Sequence, residues 1–331
     1  MALVRLLYSP GLVLALLAAS CGGAGKSPVA DSGGAGGTSG SSSGGHSAKS
    51  GTSGGGKGGS GSSGTGGHAA APANDACEDA TVVMLSADEP HMDIAVTTVN
   101  AGHDIDAPCA ADSGPDVFYQ VTFSRRVFLY ADTFGGKFDT VLFLLSDACE
   151  PLLTATTPGD ALCSDDECDT SQSRVVALLD PGRYRIGLGG SESDEGKATL
   201  HLEWTLAGNG AAAELPAGNS VQKGTTTGSG NIDSRSASCL AASGENSYWW
   251  ASCPSDSGGT LQASTCGGAK FETVLETAIP AGEPYTCALD SCGLQTSLDS
   301  VVPEGAGLRV LSLDGEGAGD VGEYTLTVTR P

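Results

Sequence analysis

The sequence predicts an all-β protein with two tandem jelly-roll-like β-sandwich domains that follow a disordered Gly/Ser-rich linker. Three observations predict this fold class. Apolar residues alternate over short runs, turn residues such as Gly, Pro and Asp separate these runs, and the order of the runs in the first half recurs in the second. No segment longer than about ten residues has the 3.6-residue apolar stripe of an amphipathic helix.

The composition divides the chain of 331 residues into four predicted segments. A lipoprotein signal peptide is expected at residues 1–20, and a lipidated Cys21 with a tether at 21–72. The two sandwiches are expected at 73–206 and 214–331, joined near Leu206–Ala217.

The first residues predict a targeting signal and a membrane anchor. Arg5 precedes an apolar run that is too short to span a bilayer as a permanent helix. Leu17-Ala-Ala-Ser-Cys21 resembles a bacterial lipobox, whose cysteine is acylated and becomes the new N-terminus, and Gly22 favours sorting to the outer membrane. The alternative is an ordinary secretory signal that leaves Cys21 free. We expect an outer membrane lipoprotein of a Gram-negative bacterium, periplasmic or surface-exposed, which contacts the membrane through its lipid.

Residues 21–72 consist mainly of Gly, Ser, Ala and Thr. Such a segment cannot bury a core and behaves as a flexible tether, with a root-mean-square reach of roughly 40 Å.

The strands of the first sandwich follow in order. They are predicted at Val117–Phe123, Val127–Ala131, Thr140–Leu144, Arg174–Leu179, Arg183–Leu188 and Ala198–Trp204. In the second half, the corresponding segments are Ser247–Cys253, Thr260–Gly268, Phe271–Leu275, Gly307–Leu311 and Gly322–Val328. The shared order predicts a diverged tandem duplication.

The first half carries a series of short motifs: Gly-Pro-Asp-Val-Phe-Tyr at 114–119, Phe-Asp-Thr-Val-Leu at 138–142, Cys-Ser-Asp-Asp-Glu-Cys at 163–168 and Pro-Gly-Arg-Tyr-Arg-Ile at 181–186. This series resembles the bacterial pre-peptidase C-terminal (PPC) domain, in a tandem repeat of the kind expected in a myxobacterial-type lipoprotein. The resemblance covers about 75–206 well and 219–330 weakly, because Glu272 replaces the Asp of the second motif. It implies a jelly-roll-like accessory or binding module without catalytic residues.

The net charge of −23 comes from 39 acidic against 16 basic residues. Such a charge repels phosphate backbones, so we expect no nucleic acid as a partner. It suits divalent cations, basic surfaces or simple solubility.

Beyond Cys21, ten cysteines remain, and in an oxidising compartment an even number predicts disulfides. The candidates are Cys77, Cys109, Cys149, Cys163, Cys168, Cys239, Cys253, Cys266, Cys287 and Cys292. Each half holds five, which requires either one inter-domain bridge or a free thiol in each half. The sequence does not determine the connectivity, and the pairs expected here are Cys77–Cys109, Cys149 with Cys163 or Cys168, Cys253–Cys266 and Cys287–Cys292.

Two places offer ligand contacts. Asp165, Glu167 and Asp169 have the alternating spacing of the start of a calcium loop, although the glycine and the bidentate glutamate of an EF-hand are missing. The alternative is a solvated acidic hairpin held by a disulfide. Trp249 and Trp250 point to opposite faces of a strand, so one belongs to the core, and the other packs between domains or meets a ligand.

Catalysis is not expected. A serine or cysteine hydrolase needs a base beside its nucleophile, and the folded part has only His91, His103 and His201. The leading hypothesis is a non-catalytic envelope lipoprotein that presents two disulfide-bonded sandwiches for binding protein or polysaccharide. No cofactor is expected apart from the calcium discussed above. The alternatives are a structural spacer without a specific ligand and a calcium-dependent adhesin.

Overall fold

The fold is taken from a computed structural model that describes residues 70–86, 88–110, 112–153, 161–229, 239, 244–280 and 285–331. The predicted signal peptide, Cys21 and nearly all of the predicted tether lie outside these residues. The described residues form eighteen β-strands and one short 3₁₀ helix, Cys77–Asp79, and contain no α-helix. All of them fall within a single compact unit of the chain.

The first sandwich contains nine strands in two sheets. The strands are β1 (Thr81–Val82), β2 (His91–Thr97), β3 (Ser113–Phe123), β4 (Val127–Asp132), β5 (Thr140–Ser146), β6 (Cys163–Ser164), β7 (Arg174–Leu179), β8 (Gly182–Ser191) and β9 (Lys197–Leu206). One sheet has the order β1-β3-β8-β5-β6, and the other has the order β2-β9-β4-β7.

The second sandwich repeats this arrangement. Its strands are β10 (Ala212–Glu214), β11 (Gly218–Thr225), β12 (Asn246–Ser252), β13 (Gly259–Ser264), β14 (Thr273–Ala278), β15 (Tyr285–Ala288), β16 (Ser297–Val302), β17 (Gly307–Gly315) and β18 (Glu323–Arg330). The sheets are β10-β12-β17-β14-β15 and β11-β18-β13-β16. The strand β10 begins two residues before the predicted start of this domain, at 214.

The strand order confirms two jelly-roll-like sandwiches. If the second to ninth strands of each domain are renumbered 1 to 8, its two sheets have the strand orders 1-8-3-6 and 2-7-4-5. These orders are the jelly-roll arrangement. The extra first strand of each domain pairs in parallel with the third. Two copies with the same nine-strand order support the predicted duplication.

A buried hydroxyl network explains why the Phe-x-Thr-Val motif is present in both halves. The Thr140 hydroxyl lies 2.6 Å from that of Thr133, and Thr273 has the same relation to Thr265 at 2.7 Å. All four side chains are fully or almost fully buried. A buried hydroxyl needs a hydrogen-bond partner, and each pair supplies one. Each pair also joins the start of β5 or β14 to the turn that follows β4 or β13 in the other sheet of the same sandwich.

The outer face of the β1-β3-β8-β5-β6 sheet is covered by the chain that precedes β3. Phe118 and Phe143 on that face pack edge to face, with ring centroids 6.2 Å apart, and contact Cys77 and Ala107 of the covering segment. Asp116 fixes this segment because its carboxylate accepts the backbone N–H groups of residues 104 and 105, at 3.1 and 3.0 Å.

The two sandwiches pack sheet against sheet. Phe128 and Tyr130 of β4 meet Leu308 and Val310 of β17 in one buried apolar cluster. Every residue of β4, β14 and β17 is buried, because these strands contact their own core on one face and the other sandwich on the opposite face. Such double burial favours near-continuous apolar runs.

Five disulfides connect all ten cysteines of the folded part, in the pairs Cys77–Cys149, Cys109–Cys163, Cys168–Cys253, Cys239–Cys287 and Cys266–Cys292. The expected pairs Cys77–Cys109, Cys149 with Cys163 or Cys168, Cys253–Cys266 and Cys287–Cys292 are therefore wrong. The reason is topological: cysteines close in the chain lie on different elements, and the sheet order decides which meet. Cys163, for example, lies on β6 beneath the covering segment, whereas Cys168 faces the second sandwich.

The Cys168–Cys253 bridge is the inter-domain link that the odd count of five cysteines in each half allowed. Replacing both cysteines by serine should lower the free energy of unfolding by about 2–4 kcal/mol, since the bridge restrains the unfolded chain. Denaturant unfolding measures the loss. The matched control is Cys266→Ser with Cys292→Ser, which opens a shorter loop inside one sandwich and should cost less. Peptide mapping that joins Cys168 to a cysteine of its own sandwich would contradict this pairing.

A buried carboxylate lies at the boundary between the sandwiches. Glu203 on β9 accepts the backbone N–H of Leu308 at 2.8 Å and is attracted by the Arg309 guanidinium. Both charged side chains are almost completely buried, with 4% and 2% exposure. Burial raises the pKa of Glu203 to about 7, although the Leu308 N–H and Arg309 act in the opposite direction.

This pKa predicts that stability falls as the pH rises. Glu203 has an ordinary pKa of 4.5 when unfolded, so the folded protein binds more protons between that pH and 7, and this contribution is lost as the pH passes through 7. In Glu203→Gln the amide still accepts the Leu308 N–H. The wild type should lose about 1–3 kcal/mol more than this variant between pH 4.5 and pH 8. Chemical unfolding at both pH values checks this, with the exposed Glu150→Gln as control, and equal losses would exclude the effect.

Candidate functional site

The predicted calcium trio does not form a site. Glu167 makes an ion pair with Arg174 at 2.9 Å, and Asp169 is exposed. The oxygens of Asp165, Glu167 and Asp169 do not gather as one group of ligand atoms. A bridge between Glu167 and Thr170 closes a tight turn here, and the alternating spacing does not gather the three carboxylates as a calcium loop would.

A different set of carboxylates converges instead. Asp139, Asp165 and Asp166 offer ligand oxygens that all lie within 4.8 Å of one another. One carboxylate oxygen of Asp139 and one of Asp165 are buried without a hydrogen-bond partner in the described part of the chain. Partial burial, together with the charges of Asp165, Asp166, Asp194 and Glu192, raises the pKa of Asp139. Burial and Asp166 also raise the pKa of Asp165, against a hydrogen bond from Ser191.

The second sandwich has an acidic group at the equivalent position. Glu272 stands in the place of Asp139, and desolvation together with Asp320, Glu316 and Asp290 raises its pKa. The turn between Cys287 and Cys292 has lost most of its acids, yet other loops supply carboxylates to the same end of the sandwich. The two turn sequences alone do not reveal the second acidic group, because its carboxylates come from distant loops.

Both tryptophans have packing roles. Trp250 is 4% exposed and belongs to the second core, with the Arg330 guanidinium 5.6 Å from its ring centroid. Trp249 packs between the sandwiches, with its ring centroid 6.4 Å from that of Phe128. The structure therefore places Trp249 at the inter-domain boundary and Trp250 in the core, rather than on a ligand-facing surface.

The outer face of the β11-β18-β13-β16 sheet is exposed along every strand, and we call it the hydroxyl face. Its outward residues are Asn219, Val221, Lys223, Thr225, Thr260, Gln262, Ser264, Ser297, Asp299, Val301, Glu323, Thr325, Thr327 and Thr329. Among them, only Lys223, Asp299 and Glu323 carry charge. This face is therefore nearly neutral in a chain of net charge −23.

Strand register arranges these side chains in rows across the sheet. One row consists of Asn219, Thr329, Gln262 and Asp299, one residue from each strand. Hydrogen bonds fix both ends of the row: the Thr329 hydroxyl donates to Asn219 at 2.9 Å, and the Gln262 amide donates to Asp299 at 3.2 Å. The row is a preorganised series of donors and acceptors.

A shallow depression of about 300 Å³ lies over the middle of the hydroxyl face. Gln262, Ser264, Ser297, Asp299 and Thr327 line it with hydroxyl, amide and carboxylate groups. No prediction from the sequence pointed to this face. The alternation Thr325-Leu-Thr-Val-Thr329 was its visible signal, but only the stacking of the sheets shows that the polar side faces solvent.

The histidines and cysteines of the described residues are engaged in structural contacts. The His201 imidazole lies 2.7 Å and that of His91 3.3 Å from the same carboxylate oxygen of Asp93, and His103 lies 2.9 Å from Asp106. All ten cysteines from Cys77 to Cys292 are oxidised. None of these ten is a free thiol nucleophile, and the five bridges indicate folding in an oxidising compartment.

Comparison with known proteins identifies no family. No family model matches the chain, and no curated protein matches it. The likeness to the PPC domain therefore stays a resemblance of short motifs.

Similar solved structures include the CUB1-EGF-CUB2 domains of rat MASP-1 (12% identity, 72% of this chain and 98% of that chain, TM-score 0.21). A putative secreted protein from Eubacterium rectale has 9% identity, with 66% and 70% coverage and a TM-score of 0.20. A Paenibacillus xanthan lyase has 10% identity and a TM-score of 0.21, and the match covers 73% of this chain and 25% of that chain. These TM-scores are too low to indicate a shared overall fold.

Among the described residues, no helix has the length and apolar character needed to cross a membrane.

Proposed function

We propose that the protein is a non-catalytic lipoprotein of the bacterial outer membrane that binds polysaccharide through the second sandwich. The lipobox-like Leu17-Ala-Ala-Ser-Cys21 and the tether at 21–72 support the anchor, and the five disulfides support an extracytoplasmic location. The tether would let the two sandwiches reach a ligand away from the membrane.

The hydroxyl face is the observation that carries this proposal. The sheets of this protein otherwise cover their apolar outer faces, whereas this face presents fixed hydroxyl and amide groups around a shallow depression. A polysaccharide offers the complementary hydroxyl groups in an extended array. Because the face has almost no net charge, a neutral polymer is the ligand class that fits it best.

Binding should depend on the row of polar side chains. We expect the protein to bind at least one neutral polysaccharide in a glycan array or in pull-downs with cellulose, chitin and β-1,3-glucan. Gln262→Ala combined with Thr329→Val removes two hydrogen-bonding groups and should weaken binding about tenfold, at roughly 0.5–1.5 kcal/mol for each group. Sodium chloride should have little effect, since the ligand is neutral.

The matched control is Thr286→Val, which changes an exposed strand threonine on another sheet. Melting temperatures establish that all variants are folded. Equal binding by the double variant would exclude the hydroxyl face as the binding surface. An absence of binding to every neutral polysaccharide would favour a spacer protein, and binding only to acidic polymers, abolished by salt, would contradict a neutral ligand.

The acidic group of the first sandwich favours a second candidate function, that of a calcium-dependent adhesin. Asp139, Asp165 and Asp166 supply the oxygen ligands that Ca²⁺ prefers, and two of their buried oxygens have no other partner in the described residues. Glu192 and Asp194 add negative charge nearby. A bound Ca²⁺ would relieve the repulsion among these carboxylates.

Calcium should then stabilise the fold. At a concentration 100 times the dissociation constant, binding adds about 2.7 kcal/mol, which raises the melting temperature by several degrees. Asp139→Asn combined with Asp165→Asn should abolish the response to CaCl₂, whereas Glu272→Gln in the other sandwich should keep it. A wild-type melting temperature that CaCl₂ leaves unchanged, or raises no more than MgCl₂ does, would count against this function.

A further inference from the structure

A small cavity opens at the boundary between the two sandwiches, away from the hydroxyl face. It has a volume of about 220 Å³ and lies where the β3–β4 turn meets the end of β9 and the start of β15. Three aromatic side chains line it, Phe123 and Trp204 from the first sandwich and Tyr285 from the second. For comparison, an apolar cavity of about 150 Å³ in another protein accommodates benzene. The present cavity therefore has room for one aromatic ring with a short substituent.

One charged group borders this apolar space. Thr205 lines the cavity, but its hydroxyl oxygen is buried within the wall and offers no contact to a ligand. Arg125 also lines the cavity, is exposed, and makes no ion pair with any described residue. Its guanidinium is therefore available to an anionic ligand.

We propose that this cavity binds a small aromatic carboxylate. The ring would lie among Phe123, Trp204 and Tyr285, where aromatic rings gain both burial and edge or stacking contacts. The carboxylate would face Arg125, whose planar guanidinium suits a carboxylate in bidentate geometry. Pockets at domain boundaries with apolar walls and a few polar groups are the usual form of small-molecule sites. The site is independent of the polysaccharide proposal, because it lies on other elements and takes another ligand.

The probes are 3-phenylpropionate and its neutral analogue 3-phenylpropan-1-ol, titrated into the purified full-length protein. Calorimetry and the quenching of tryptophan fluorescence, to which Trp204 contributes, report binding. Both probes should bind with one-to-one stoichiometry, and the carboxylate should bind more tightly. Arg125→Gln should weaken 3-phenylpropionate about two- to fivefold, as expected for an exposed charge pair, and leave the alcohol unchanged. Leu85→Trp, which fills the cavity from its wall, should abolish binding of both.

The matched control is Lys197→Gln, which removes an exposed positive charge at the start of β9, the end of that strand farther from Trp204. Its affinity for both probes should equal that of the wild type. Melting temperatures show whether each variant is folded, and if Leu85→Trp fails to fold, Tyr285→Ala, which removes one aromatic wall, serves in its place with weaker binding of both probes expected. No saturable binding of 3-phenylpropionate, or equal affinity in wild type and Arg125→Gln, would overturn the proposal.

Discussion

The packing of one sandwich against the other is the interaction on which the rest of the structure depends. A β-sheet buries its first face in the core of its own sandwich, and its second face must be polar, covered or paired. In this chain the second faces around Phe128 and Leu308 are apolar and cover each other. Because the strands β4, β14 and β17 are buried on both faces, neither sandwich could expose its contact sheet to water without exposing aromatic and aliphatic side chains. The Cys168–Cys253 bridge and Glu203 lie at this contact and depend on it.

The same packing decides where ligands can reach the protein. The first sheet lies under the disulfide-bonded segment before β3, and the two middle sheets face each other. The last sheet, β11-β18-β13-β16, keeps its outer face towards solvent, and that face carries mainly threonine, serine and other polar residues, with Val221 and Val301 as its exposed apolar side chains. The aromatic cavity near Trp204 forms where the edge of the contact leaves a gap between the two sandwiches.

The two domains share a scaffold and differ in what they present. Both retain the buried threonine pair, Thr133 with Thr140 and Thr265 with Thr273. Both also gather carboxylates beside the strand that follows the turn between these threonines. Yet corresponding sheets have opposite environments: the outer face of β2-β9-β4-β7 is largely covered by the second sandwich, and that of β11-β18-β13-β16 is open. The duplication therefore preserved the internal polar contacts that the fold requires, while the surfaces diverged.

The all-β class, the two sandwiches and most of their strands follow from the amino-acid sequence, because alternation of apolar residues and turn chemistry are local properties. The sequence also indicated an oxidised set of ten cysteines. The pairing of those cysteines, the packing of Trp249 between domains and the approach of Asp139 rather than Asp169 to Asp165 depend on the three-dimensional arrangement. They do so because these contacts join residues from strands far apart in the chain. Their neighbours are chosen by sheet order and by the face that another sheet covers, which no local pattern records.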